Sequence, residues 1–301
     1  MGQRVAISDW GSLCLLVSIW GSSFAMSKLA LLHLDAAWVM ALRLSVAAVA
    51  LVPYAYAAGP GLAAPRGSWV KFTWLGFIGN ALPFFVITYG MNFVTSGVAG
   101  LLMGAIPLFV VLFAHFTLPG ERLTVPKSIG FLLGFTGIIV LIGPKAILTL
   151  SMSGDELKGE LLVLFGCLCY GIHAVSAKRL GVDHPARQSA AVCLTGAAMG
   201  LAFAAAVSPQ GLSGVPALGY LAVIGLGLFP TAAATVIVYR LMARTGPSFV
   251  SYSNYLVPVF AVLLGAFLLG ETLHWNVLAA LLLVLAGIAV SRIEWKRGQT
   301  A

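Results

Sequence analysis

Charge is scarce in this chain. Only 9% of its 301 residues are Asp, Glu, Lys or Arg, whereas 60% are hydrophobic, and the mean hydropathy is +1.01. A water-soluble chain of this length could not bury so much apolar surface, and a chain embedded in lipid requires it. Cysteine is scarce as well: Cys14, Cys167, Cys169 and Cys193 all lie in apolar runs, and none forms a C-x-x-C pair. Cys167 and Cys169 stand two apart and so face different directions on a helix, which predicts packed thiols rather than a metal or redox centre. H-E-x-x-H, a glycine-rich phosphate loop and a carboxylate at mid-membrane depth are all missing. An internal ATPase is thereby excluded. A proton exchanger built on a central Asp or Glu is disfavoured, which leaves His173 as the titratable candidate near mid-span besides His115 toward the cytoplasmic side.

The basic residues give a net charge of +8, but they sit singly or in pairs at the ends of apolar runs. That is how spans are flanked, so no nucleic-acid partner is expected. The first apolar run continues to about residue 32 without a small-residue cleavage site and reads as a full span, not a signal peptide. Runs near the roughly 20 residues that cross a bilayer fall at 10–31, 36–57, 69–90, 97–118 and 125–143. A second set follows at 159–178, 187–207, 216–240, 247–269 and 275–293. Short connections make consecutive helices antiparallel neighbours.

The two sets are copies. A shift of 150 residues carries Gly21 and Lys28 onto Gly171 and Lys178, Gly120-Glu121 onto Gly270-Glu271, and Gly137-Ile138 onto Gly287-Ile288. From Leu118 to Val140, nine of 23 positions are identical at that shift. The predicted fold is an all-α integral membrane protein of ten transmembrane helices in two five-helix repeats, residues 1–143 and 159–301. A polar loop, residues 144–158, joins them. An odd number of spans per copy inverts the second copy.

With both termini cytoplasmic, the inner side collects Arg4, Arg66, Lys71, Arg122, Lys127, Lys178, Arg179, Arg187, Arg240, Arg244, Arg292, Lys296 and Arg297. The outer side holds Lys28, Lys145 and Lys158, and thirteen against three sets the orientation. Arg66 and Arg244 are then expected inside the cell, and Ser153 and Ser213 outside.

Several residues interrupt the apolar pattern at depth. Trp20, Ser23 and Ser27 share one face of the first helix, and Tyr170 and His173 occupy the matching positions of the sixth. Asn80 and Phe84 fall near the centre of the third helix, and Asn254 and Tyr255 lie on the ninth. A lone mid-span amide can serve as helix-helix glue, but recurrence in both copies points to a shared polar cavity. The substrate-binding candidates are therefore Trp20, Ser23, Asn80, Phe84, Tyr170, His173, Asn254 and Tyr255.

Pro83, Pro107, Pro230 and Pro258 lie inside spans in repeat-related pairs. Each frees a carbonyl and permits a kink, so they are candidates for gating. Gly97, Gly100 and Gly104 read as a stripe for close helix packing. Glu121 and Glu271 read as caps at the starts of their own helices. Arg43, about two turns into the second helix, can either snorkel to the interface or hold a solute carboxylate.

These stretches resemble the EamA-type repeat of the drug/metabolite transporter superfamily. The resemblance is carried by Trp20-Gly21-Ser22-Ser23-Phe24, the Arg43 segment, Pro107, Gly120-Glu121-Arg122-Leu123 and Gly130 through Gly137. In the second copy it is carried by Pro258, Gly270-Glu271-Thr272-Leu273 and Gly287-Ile288. It covers almost the whole chain and is strongest toward bacterial amino-acid exporters, including exporters of aromatic amino acids. It implies a multi-pass inner-membrane exporter, not an enzyme, that works as a monomer in the lipid bilayer without cofactor or metal. The implied mechanism is alternating access, and the implied solute is a small molecule: a neutral amino acid, aromatic and hydrophobic ones included, or a related metabolite. Efflux of lipophilic amines or toxic compounds is the alternative within transport, and a non-transporting membrane scaffold is the alternative outside it.

Overall fold

The computed structural model describes residues 6–118, 124–142, 154–181, 184–208 and 211–291. The Gly120-Glu121 motif, Ser153 and most of the central loop lie outside the described residues. Lipid offers no partners to backbone N–H and C=O groups, so a chain this apolar must bond them within helices. The described residues are helical apart from short connections.

Among the described residues, seven helices are long and apolar enough to cross a membrane: α1 (Ile7–Leu31), α2 (Ala36–Ala57), α3 (Arg66–Gly90), α4 (Ser96–Thr117), α6 (Asp155–Leu180), α7 (Pro185–Val207) and α8 (Ala217–Thr245). Three apolar helices are shorter: α5 (Val125–Ile142), α9 (Ser253–Leu269) and α10 (Trp275–Ser291). Their places agree with the sequence reading, and the boundaries that differ most are those of α6, α8 and α9. Helix α6 starts at Asp155, because Asp155 and Glu156 favour the positive N-terminal end of the helix. Helix α8 runs on to Thr245, where Gly246 at φ +83° ends it. Before α9 a single turn, Pro247–Val250, is set off by Ser251 and Tyr252. Ser253 Oγ bridges that break by donating to the Val250 carbonyl at 2.8 Å.

Sequence reasoning did not foresee the two wide turns. Phe77–Ala81 in α3 and Gly227–Ala233 in α8 are π-helical, and their first residues are 150 apart. Pro83 follows the first and Pro230 lies within the second, so the missing proline donors fall where the α-helical ladder is already broken. Pro107 likewise follows a 3-10 turn, Met103–Ala105, in α4.

Helix packing follows the same exchange. Helix α2 lies along α7, and α5 along α10. Helix α1 packs on α9 and α6 on α4; α3 packs on α6 and α8 on α1. Adding or subtracting 150 converts each of these pairs into another or into itself. One apolar core joins α1, α3, α4, α5, α6, α9 and α10, and a second sits between α2 and α7. The glycine stripe does what its spacing suggested. A Cβ on Gly97 would lie 3.4 Å from Val262 Cα, and one on Gly104 would lie 2.6 Å from Val284 Cγ1.

Candidate functional site

Between the two halves lies a cavity of about 440 Å³, walled by α1, α2, α3, α4, α6, α7, α8 and α9. Trp20, Ser23, Asn80, Phe84, Tyr170, His173 and Asn254 all line it. Tyr255 does not: its hydroxyl donates to the Ile288 carbonyl at 3.1 Å and ties α9 to α10. Of the four prolines, Pro230 and Pro258 line the cavity, whereas Pro83 and Pro107 sit in the first turns that follow the irregular segments.

Each side chain has a local reason for its position. Ser23 is turned back on its own helix, its Oγ donating to the Trp20 carbonyl at 2.7 Å. Asn80 rides in the π turn of α3, and its Nδ2 reaches Cys193 Sγ at 3.6 Å. Phe84 and Tyr170 meet edge to face, with ring centroids 6.3 Å apart. His173 packs against Gly79, where any Cβ would collide with its imidazole. Its Nδ1 is buried without a hydrogen bond among the described residues.

Polar groups that sequence reasoning left out of the site also line it. Thr231, Thr235 and Tyr239 come from the polar face of α8. Gln188 stands a turn from His184 and next to Arg187, which in sequence reads as an interfacial position. The side chain of Arg43 is buried and turned into the bundle, not out to the interface. Its Nε donates to Thr231 Oγ1 at 2.8 Å, and its Cζ stands 4.0 Å above the centroid of the Phe84 ring. No carboxylate is among the described residues that line the cavity. The cavity can enclose an amino-acid-sized solute, with aromatic walls for an apolar part and amides, hydroxyls and one guanidinium for polar ends.

No cluster of His, Cys, Asp or Glu able to hold a metal occurs among the described residues. Cys167, Cys169 and Cys193 are buried free thiols, while Cys14 is exposed on α1. Glu271 corrects an expectation. It does not cap its own helix, which begins at Trp275. Its Oε1 accepts from the Ser96 backbone N–H at 2.6 Å and its Oε2 from that of Gly97 at 2.9 Å, so it caps α4 in the other half.

The sequence matches the EamA-like transporter family over residues 10–143 and again over 157–293. The chain belongs to that family. This EamA-like chain is 27% identical over 288 residues to the transporter YoaV of Bacillus subtilis, covering 93% of this chain and 94% of YoaV. It is 28% identical to a probable terminal-alkyne amino-acid exporter of Streptantibioticus cattleyicolor, covering 89% of this chain and 88% of that one. It is 29% identical to the aromatic amino acid exporter YddG of Ancylobacter novellus, covering 69% and 70%. One solved crystal structure superposes with a TM-score of 0.68 at 22% identity, covering 95% of this chain and 97% of the other, which supports the fold alone. The EamA-like assignment makes this a membrane transporter of the drug/metabolite superfamily.

Proposed function

We propose that this transporter exports neutral amino acids, aromatic and hydrophobic ones included, and related metabolites by alternating access across the inner membrane. The observation that carries the reading is the cavity between the halves, where Trp20, Phe84 and Tyr170 stand beside the amides of Asn80 and Asn254. Aromatic walls suit an apolar side chain, and a few amide and hydroxyl groups orient a zwitterion. Two relatives named as amino-acid exporters support it. In this reading residues 1–143 and 159–301 are inverted repeats, all ten apolar helices cross the bilayer, and the protein works as a monomer. Pro107 and Pro258 give α4 and α9 the bends by which the halves rock.

The test is counterflow in liposomes containing only this protein, with a panel of amino acids and organic cations. Truncating Trp20 or Tyr170 is expected to reorder the solutes by size, because each forms a wall. Asn80→Ala or Asn254→Ala is expected to weaken all of them, by about 3- to 10-fold for one lost neutral hydrogen bond. Pro107→Ala and Pro258→Ala should lower turnover more than abundance. Absence of amino-acid flux in the wild type would sink the function. An unchanged ranking and half-saturation in all four cavity variants would move the site elsewhere.

Topology has its own test. Arg66 and Ser213 are both exposed, so a single cysteine at either, on a background without native cysteines, can be labelled by an impermeant thiol reagent. Labelling in intact cells is expected at residue 213 and not at 66, and the reverse would invert the orientation. Arg244 is left untouched, since it pairs with the buried Asp9 carboxylate at 3.1 Å and its loss would strand that charge.

A further inference from the structure

We propose that Arg43 is the carboxylate-binding residue of the cavity, so that its solutes carry a carboxylate and lipophilic amines without one are rejected. This rests on the reading of the cavity as a solute site and narrows its solute class.

The argument begins with the side chain's depth. Arg43 lies seven residues into α2, roughly 10 Å along the axis from its first residue. A guanidinium there could be drawn back to the interface, yet Arg43 is held inward by two contacts. The first is a relay: Arg43 Nε donates to Thr231 Oγ1, and the Thr231 hydroxyl donates in turn to the Leu226 carbonyl at 2.9 Å. That carbonyl stands four residues before Pro230, where proline supplies no N–H to receive it. The hydroxyl proton is therefore committed, and a lone pair of Thr231 is left for Arg43. The second contact is the Phe84 ring under the guanidinium, which fixes its plane.

Nε and one face of the guanidinium are thus used. The two terminal nitrogens have no partner among the described residues and are not sealed off, so they open onto the cavity that Arg43 lines. A fork of N–H donors held in one plane matches the two oxygens of a carboxylate. The charge is also uncompensated, because no acidic side chain is among the described lining residues. An unpaired cation at this depth is costly, and an entering carboxylate relieves that cost while a lone ammonium adds to it.

The test reads binding separately from transport. Purified protein is titrated with L-phenylalanine, 3-phenylpropionate, L-phenylalaninamide and phenethylamine, and binding is followed as thermal stabilisation. The first two carry the carboxylate and the last two lack it. In the wild type the carboxylates are expected to bind roughly 10- to 100-fold more tightly than the other two, the range for hydrogen bonds to a charged group. Arg43→Gln should bring all four within about 3-fold of one another, and Arg43→Lys, a point charge without the fork, should keep part of the preference.

Equal binding of all four by the wild type, no binding of any, or a full preference retained in Arg43→Gln would each overturn the assignment. If Arg43→Gln does not fold, the wild-type preference and its reduction in Arg43→Lys decide. Flux in liposomes is scored independently. A carboxylate preference without amino-acid flux would keep Arg43 and reject the transport reading, and flux without the preference would do the opposite.

Discussion

Glu271→Ala is expected to loosen the Ser96 end of the bundle and expose the cavity there. The carboxylate accepts two backbone N–H groups at the start of α4, both donors that the helix itself cannot satisfy. Gly265 makes this possible: a Cβ there would strike Glu271 Oε2, and the Gly265 carbonyl also accepts from the Glu271 N–H at 3.0 Å. Removing the carboxylate strands two donors and should cost about 2–3 kcal/mol. If α4 and α9 part at this end during the cycle, the equilibrium between closed and open moves by roughly 30- to 150-fold.

A cysteine at Thr88, buried and lining the cavity, reports on it. Its alkylation by a polar thiol reagent should rise at least about 10-fold in Glu271→Ala, in line with that shift. Gly265→Ala should behave alike, because it displaces the same carboxylate. Unchanged alkylation in both variants would show that this contact does not hold the end shut.

The second large effect is expected at Gly287. A Cβ on it would lie 2.6 Å from the Gly130 carbonyl oxygen and 2.7 Å from the Gly134 backbone nitrogen. Both neighbours are backbone of α5, so no side chain can rotate away, and the whole α5–α10 seam must open. Gly287→Ala should cost about 1–3 kcal/mol and lower the melting midpoint by roughly 2–10 °C. Gly287→Val should abolish the monodisperse protein. Gly11→Ala is the control, since nothing lies within 4 Å of its added methyl, and it should be neutral or slightly stabilising. Melting curves of the two alanine variants and the size-exclusion profile of Gly287→Val check this, and a Gly287→Ala midpoint equal to that of Gly11→Ala would refute the tight seam.

Helix placement and part of the cavity wall were legible in the sequence because lipid leaves few options: apolar runs of one length must be helices, and polar groups at depth must face inward. Trp20, Asn80, Tyr170 and His173 reach the cavity for that reason. Tyr255 was misleading because a tyrosine has a second way to be satisfied, and the Ile288 carbonyl on a neighbouring helix provides it. Glu271 was misleading because its spacing to α10 suggests a cap, while the helix end that needs it is 175 positions away in sequence. The π turns leave no periodic signal, although Pro83 and Pro230 mark their neighbourhood. Arg43 carried two readings in sequence, and it is the contacts with Thr231 and Phe84 on other helices that turn it inward.

The paired π turns also bear on how such a protein can change over generations. A π turn accommodates one residue more than an α turn. Deleting one residue within Phe77–Ala81 would restore ordinary winding and leave the rest of α3 close to its present orientation, because the wide turn already absorbs the extra residue. Phe72 and Leu75, before the turn, would keep their packing against α7. Phe84, Ile87 and Thr88, after it, would keep facing the cavity and Arg43 would keep the ring beneath it, so the change falls on the wide turn that carries Asn80. A single codon in either half can therefore add or remove a residue of the wide turn at the cavity while the helix on both sides of it stays in register.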